Sequence, residues 1–168
     1  MPHEDLTGFV LAGGRASRMG VDKASLPWGT SPRATLLDHM VHLLSEITSR
    51  VHVVGRAPLP DLTPGRGPLE GVRTALETTS TEKNLIVAVD LPLLEPAFLR
   101  YLSERHRRSS ADLVLCRVEG VVALCFGAHR RLRNVLAAYL DSGQRSLQGF
   151  TATVRGKEIS EAELGHAG

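Results

Sequence analysis

The stretch Leu11-Ala12-Gly13-Gly14-Arg15-Ala16-Ser17-Arg18-Met19-Gly20-Val21-Asp22-Lys23 concentrates residues that could do chemistry. Arg15, Arg18 and Lys23 are interleaved with Gly13, Gly14 and Gly20. A triphosphate presents several negative charges and many acceptor oxygens. Glycines let backbone N–H groups approach those oxygens without a Cβ in the way, arginine supplies a fork of donors, and lysine supplies a point charge. The spacing is neither the G-x-x-x-x-G-K-[ST] phosphate loop nor G-x-G-x-x-G. By residue type alone, the segment stands between a phosphate-holding loop and a Gly/Arg-rich surface turn.

A second candidate is Asp90, at the exit of the apolar run Val87-Ala88-Val89 and ahead of Leu91-Pro92-Leu93-Leu94. A carboxylate so placed suits Mg²⁺, an oxygen-seeking ion that bridges carboxylate to phosphate. The plain alternative is an aspartate capping the next turn. A third segment is Gly67-Pro68-Leu69-Glu70-Gly71. Proline fits a first helical turn, where its missing N–H costs nothing. Other reactive side chains assemble nothing. Ser17 lacks a recognisable His/Asp partner, and His39 and His42 share a helix face without a third ligand. Cys116 and Cys125 lack zinc spacing and read as small buried residues in a reducing compartment.

These segments need a frame to hold them. Gly8 to Ala12 reads as a buried strand feeding the Gly-rich loop. Leu37, Met40, Val41, Leu44 and Ile47 recur at helical spacing across Leu36 to Ile47. Arg50 to Val54 predicts a second strand, followed by a Pro- and Gly-rich loop from Gly55 to Gly67. A helix starts at Pro68, with Val72, Ala75 and Leu76 as its apolar stripe. Asn84 to Val89 predicts a further strand, and Pro96 to Arg107 a helix. Asp112 to Arg117 and Val121 to Phe126 read as strands joined in a hairpin at Glu119-Gly120. Arg131 to Leu140 is helical by period, Gly143 is its stop, and Thr151 to Arg155 is a last strand candidate. Alternating strands and helices predict an α/β fold whose mostly parallel sheet is interrupted by one antiparallel element. Ligands of such sheets bind beyond the carboxyl ends of the strands. The loop after Ala12 and Asp90 both fall there.

The chain's 168 residues suit one compact domain spanning 1–168. Apolar residues at 42% and charged residues at 23% are those of a soluble globular protein, and 4% aromatics leave the core to Leu, Val and Ala. A net charge of +2 gives no case for a general nucleic-acid binder. Met1 to Thr7 is polar, so neither a signal peptide nor a transmembrane segment is expected, and the expected location is cytoplasmic.

The loop resembles the nucleotidyltransferase signature L-A-[GA]-G-x-[SA]-x-R-M-G-x-x-K. Within that superfamily it is similar to the molybdenum cofactor guanylyltransferases, whose loop reads L-A-G-G-x-x-x-R-M-G-x-D-K. The match runs through Leu11, Ala12, Gly13, Gly14, Arg18, Met19, Gly20, Asp22 and Lys23. Gly67 to Gly71 matches the family's G-P-L-x-G. Asp90, Pro92 and Leu94 match C-D-x-P-x-L, with Val89 where Cys is common. Leu140 to Leu147 fits L-x-x-G-x-R-[SR]-[LV], with an Arg145 able to meet an acidic substrate. The resemblance covers Phe9 to Phe150.

What the resemblance implies is a Rossmann-like three-layer α/β/α nucleotidyltransferase domain with a mostly parallel mixed sheet. It implies transfer of GMP from GTP to molybdopterin, giving molybdopterin guanine dinucleotide and pyrophosphate. Leu11, Ala12, Gly13, Gly14, Arg15 and Lys23 would wrap the nucleotide, with Asp61 and Gly67 completing its site. Asp90 would hold Mg²⁺, while Arg18 and Lys23 neutralise charge as pyrophosphate leaves. Gly13 stands where cytidylyltransferases carry Ala, and bare backbone there leaves space for a purine. A carboxylate at Asp61 can accept both the N1–H and the N2 amino hydrogens of guanine. GTP and molybdopterin would be the small-molecule partners, with room for a protein that hands over the pterin. No nucleic acid or membrane is implied.

The chain also departs from the family pattern. The His-Pro pair of the strand after the hairpin is absent from Val122-Ala123-Leu124-Cys125-Phe126, and Phe150 to Lys157 carries no Asn-Thr-Pro. The family's Asn residues there lie on the acceptor's side of the cleft. Two alternatives follow. One is a nucleotidyltransferase with another base or acceptor, such as a molybdopterin cytidylyltransferase or a sugar-phosphate enzyme, although Gly13 and the Gly-Pro-Leu segment argue against cytidine. The other is a nucleotide-binding regulator without turnover.

Overall fold

The computed structural model describes residues 1–13, 21–31, 33–91, 93–160 and 162–163. The chain runs β1 (His3–Leu11), α1 (Leu36–Ser45), β2 (Thr48–Val54), α2 (Pro68–Thr78), β3 (Lys83–Ala88), α3 (Pro96–Arg108), β4 (Leu113–Val118), β5 (Val121–Val122), β6 (Cys125–His129), α4 (Arg133–Asp141), α5 (Leu147–Thr153) and β7 (Gly156–Ile159). Short 3₁₀ turns at Lys23–Ser25 and Arg130–Leu132 precede α1 and α4.

The described strands form one sheet in the order β2-β1-β3-β6-β4-β5, with β7 also pairing β4. β1 runs parallel to β2 and β3, and β7 runs parallel to β4. β6 is antiparallel to both β3 and β4, and β5 is antiparallel to β4, so the return arm of the hairpin is the expected reversed element in a sheet whose other described strands run one way. Alternation along the strands divides the core in two. Leu6 and Val10 of β1, with Leu85 and Val87 of β3, pack under α1 and α3 against Met40, Leu44, Leu99 and Leu102. Phe9, Leu11 and Ile86 point the other way, toward Val72 and Leu76 of α2, Leu136 and Leu140 of α4, and Phe150 of α5. Burial on both faces explains why these strands read as continuous apolar runs. Helices on both faces of one sheet make the three-layer arrangement. No described helix is long and apolar enough to cross a membrane.

Two local expectations are corrected. Val121 to Phe126 is not one strand. The hairpin turns at Glu119 and Gly120, both at positive φ, but β5 pairs with β4 only through Val121 and Val122. The chain then changes partner: Ala123 N still donates to Cys116 O, while Leu124 O already accepts from Ala88 N. β6 begins one residue later, between β4 and β3. Thr151 to Arg155 is not a strand either. Its first three residues close α5, which Ser146 caps by accepting from Gly149 N. The Thr151 and Thr153 hydroxyls donate to carbonyls three residues back, and Phe150 meets Tyr139 edge-on, so tertiary burial overrides β propensity here. The final strand lies beyond, at Gly156–Ile159.

The far end of the sheet holds a buried histidine with a pH signature. His106 of α3 packs so tightly on Gly127 that a Cβ there would stand 2.4 Å from the His106 Cγ. It is fully buried, and burial followed by the charge of Lys83 lowers its pKa from 6.5 to about 3. The unfolded chain therefore takes up a proton near pH 6.5 that the folded chain refuses until about 3. Stability from this group is complete above pH 6.5 and falls below it, by up to about 1.4 kcal/mol per pH unit. Urea unfolding between pH 7.5 and 4.5 is expected to show this slope, and His106→Gln to reduce it. Equal slopes in the two proteins would refute the assignment.

Candidate active site

The carboxyl ends of β1, β2 and β3 finish together. Leu11 pairs with Val54 of β2 on one side and Ala88 of β3 on the other. One step further, Ala12 N donates to Val54 O at 2.9 Å and Val89 N donates to Leu11 O at 3.0 Å. Gly13, Gly55 and Asp90 thus emerge from adjacent strands, on the edge where parallel sheets bind ligands. Leu11 and Ala12 are buried, whereas Gly13 and Asp90 are exposed. Gly14, Arg15 and Arg18 lie outside the described residues.

The loop returns to this edge at Asp22 and Lys23. Asp22 opens the 3₁₀ turn by accepting from Ala24 N and from the Ser25 hydroxyl. Arg56, the second residue after β2, closes the loop by gripping both of its ends. Its Nε and Nη2 donate to Ala12 O at 2.9 and 2.6 Å, and its Nη1 and Nη2 donate to the two Asp22 carboxylate oxygens at 3.1 and 2.9 Å. The Arg56 guanidinium, helped by the Ser25 hydroxyl, holds the Asp22 carboxyl down at about 2. The next residue, Lys23, is then brought to Asp90, with Nζ 3.5 Å from Oδ2. Both side chains remain open to solvent, 63% and 47% exposed, so a charged ligand could reach either.

A second group forms around Asp61. Gly13 and Gly55 touch through their backbones: a Cβ on Gly13 would stand 2.8 Å from Gly55 Cα. A Cβ on Gly55, whose φ is +96°, would lie 2.3 Å from Gly13 Cα. Neither position admits a side chain without backbone movement. The same bare face of Gly13 meets Asp61, whose Oδ2 would be 3.1 Å from a Cβ there. On the other side, Asp61 Oδ1 would be 3.6 Å from a Cβ on Gly71 of α2. Oδ1 is buried and has no hydrogen-bond partner among the described residues. Burial, and secondarily the negative charge of Glu70, push the Asp61 carboxyl above its ordinary range. An N–H donor from a ligand would satisfy a buried acceptor of this kind. Gly67 caps α2 at a φ of +80°, ahead of Pro68, with open space where a side chain would be. Its observed part is conformational.

Among the described residues, no three His, Cys, Asp or Glu side chains gather to hold a metal ion. The site therefore offers Asp90 as a carboxylate beside a lysine, not a closed cage. That donor set fits Mg²⁺, which retains waters and binds through one or two carboxylates together with substrate phosphates.

The structure adds Arg56, Gly55 and Glu70 to the residues expected from sequence. Arg56 and Gly55 follow directly on β2, at the binding edge, and that position was their only sequence signal. Glu70 occupies the variable place in G-P-L-x-G and had none.

Comparison with known proteins identifies the family. Residues 8–156 match the family described as MobA-like NTP transferase domain. The "Probable molybdenum cofactor guanylyltransferase" of Carboxydothermus hydrogenoformans is 33% identical over 171 residues, covering 96% of this chain and 84% of that protein. The "Molybdenum cofactor guanylyltransferase" of Xanthomonas euvesicatoria pv. vesicatoria is 34% identical over 173 residues, covering 92% of this chain and 86% of that protein. In fold, the chain resembles the crystal structure of molybdopterin-guanine dinucleotide biosynthesis protein A from Archaeoglobus fulgidus. The TM-score is 0.76 at 17% identity, over 94% of this chain and 85% of that one.

Proposed function

The chain belongs to the family of MobA-like NTP transferase domains, and from that premise we propose that it is a molybdenum cofactor guanylyltransferase. It transfers GMP from GTP to molybdopterin and releases pyrophosphate. The observation that carries the choice of base is the Asp61 carboxylate, set between Gly13 and Gly71 with a buried oxygen that no described residue satisfies. Guanine offers two adjacent donors, N1–H and the N2 amino group, to such a carboxylate. Cytosine and adenine offer no such pair.

In the reaction, a phosphate oxygen of molybdopterin attacks the α-phosphorus of GTP. The bond from that phosphorus to the bridging oxygen breaks, and pyrophosphate departs with the electron pair. No covalent intermediate on the protein is needed. The chain contributes binding, orientation and charge. Leu11, Ala12, Gly13 and Gly14 supply backbone to the nucleotide, with Arg15 as an added cation and Gly67 starting the helix beside Asp61. Lys23 and Arg18 counter charge on the departing pyrophosphate. Asp90 holds the divalent cation, Mg²⁺ in this reading, which when bound neutralises phosphate charge and polarises the phosphoryl group. We assign the activity to a single domain working in the cytoplasm on small-molecule substrates.

The test is pyrophosphate release with Mg²⁺ and molybdopterin, comparing GTP, CTP and ATP. Release is expected with GTP alone, and chelation of the metal is expected to stop it. Release with CTP instead would reassign the base. GTP binding without release would make the chain a nucleotide-binding regulator.

A further inference from the structure

Glu70 is fully buried at the variable position of Gly67-Pro68-Leu69-Glu70-Gly71. A buried carboxylate is costly unless it is paired and hydrogen-bonded. Its Oε1 accepts from Thr63 N at 3.2 Å. One turn further along α2, Thr74 is also fully buried. Its hydroxyl accepts from Leu62 N at 3.0 Å and donates to Glu70 O at 2.9 Å. Two consecutive backbone amides, those immediately after Asp61, are therefore captured by two side chains of one helix. Arg66 and Arg73 approach the Glu70 carboxylate at 4.0 Å and both pair with Asp141 of α4, at 3.3 and 3.2 Å. This charge arrangement ties the loop and α2 to α4.

We propose that Glu70 and Thr74 are positioning residues for base selection: they dock Leu62 and Thr63 onto α2 and so set the aim of the Asp61 carboxylate between Gly13 and Gly71. The inference rests on the guanine reading of Asp61 given above. No regular element lies between β2 and α2: backbone bonds tie Leu59 back to Gly55 and Arg56, whereas the amides of Leu62 and Thr63 are held by side chains of α2. Asp61 Oδ1 receives no hydrogen bond among the described residues, so its direction comes from the backbone that Glu70 and Thr74 hold. The charge of Glu70 also acts on Asp61 directly, disfavouring an ionised carboxylate until a donor pair faces it.

Guanine differs from hypoxanthine only in its 2-amino group. The ratio of kcat/KM for GTP to that for ITP therefore reports the aim of Asp61. Thr74→Val keeps the shape of the side chain and removes the acceptor, and Glu70→Leu does the same for Thr63. Each is expected to lower the GTP/ITP ratio by about tenfold, chiefly through a higher KM for GTP, while use of ITP changes little. Thr74→Ser and Glu70→Gln keep an acceptor oxygen and are expected to retain most of the ratio. Asp61→Asn is measured alongside. If it collapses the ratio while folded Thr74→Val lowers GTP and ITP use equally, or changes neither, the two residues are merely structural and the proposal is overturned. If Asp61→Asn leaves the ratio intact, the guanine reading falls, and the proposal falls with it. Should Glu70→Leu fail to fold, Thr74→Val decides.

Discussion

Asp90→Asn is expected to lower kcat/KM for nucleotidyl transfer by about 100- to 1000-fold, with little change in thermal stability. Asparagine keeps the size of the side chain and one oxygen but removes the charge. Its hold on a divalent cation and on the bound triphosphate is therefore weakened. The Asp90–Lys23 pair spans 3.5 Å with both side chains well exposed, and ion pairs of that kind add little to folding. The loss should thus appear in turnover and not in melting. Pyrophosphate release measured across a Mg²⁺ titration checks this, and more metal is expected to recover part of the rate. Full Mg²⁺-dependent turnover by the variant would remove Asp90 from the reaction.

Asp61→Asn is expected to lower kcat/KM for GTP by about 100-fold, since it removes charge-assisted hydrogen bonds to the base, each worth about 1.5–3 kcal/mol. The amide also turns an N–H donor toward a guanine edge made of donors. Xanthine carries a carbonyl where guanine carries the 2-amino group, so asparagine can pair with it. Use of xanthosine triphosphate should therefore rise relative to GTP, measured as initial rates of pyrophosphate release with each nucleotide. A variant that loses both nucleotides alike would show that Asp61 supports the loop and does not read the base. The geometry favours reading. The Asp61 carboxylate faces the bare side of Gly13, and its buried Oδ1 has no donor among the described residues.

Much of the frame was legible because its signals are local. β1 from Gly8 onward and β3 from Leu85 onward are continuous apolar runs, as segments buried on both faces must be, and α1 and α2 show helical spacing, with a leading Pro68 on α2. The misread pieces lie where partner choice, not pattern, sets the conformation. Ala123 and Leu124 sit in an unbroken apolar stretch, and only the exchange of β4 for β3 as neighbour breaks the strand. Thr151 and Thr153 favour strands by type, yet Phe150 is buried under the sheet on the α4 side and draws them into α5. Arg56 looked like any loop arginine, since its partners Ala12 and Asp22 belong to another strand's loop.

The sequence by itself determined the chemistry available: a Gly/Arg/Lys loop after an apolar strand, an acid at the exit of another, and an α/β alternation that puts both at one edge. Those are properties of contiguous segments, and local sterics and charge suffice to read them. Only the tertiary structure decided which of these residues meet. Lys23 reaches Asp90 because β1 and β3 lie side by side and end together, and because Arg56 joins Ala12 to Asp22. Asp61 faces Gly13 because Gly55 crosses it in backbone contact and because Glu70 and Thr74 hold the following amides. Such meetings arise from strand neighbours and buried hydrogen bonds between distant segments, which no local pattern encodes.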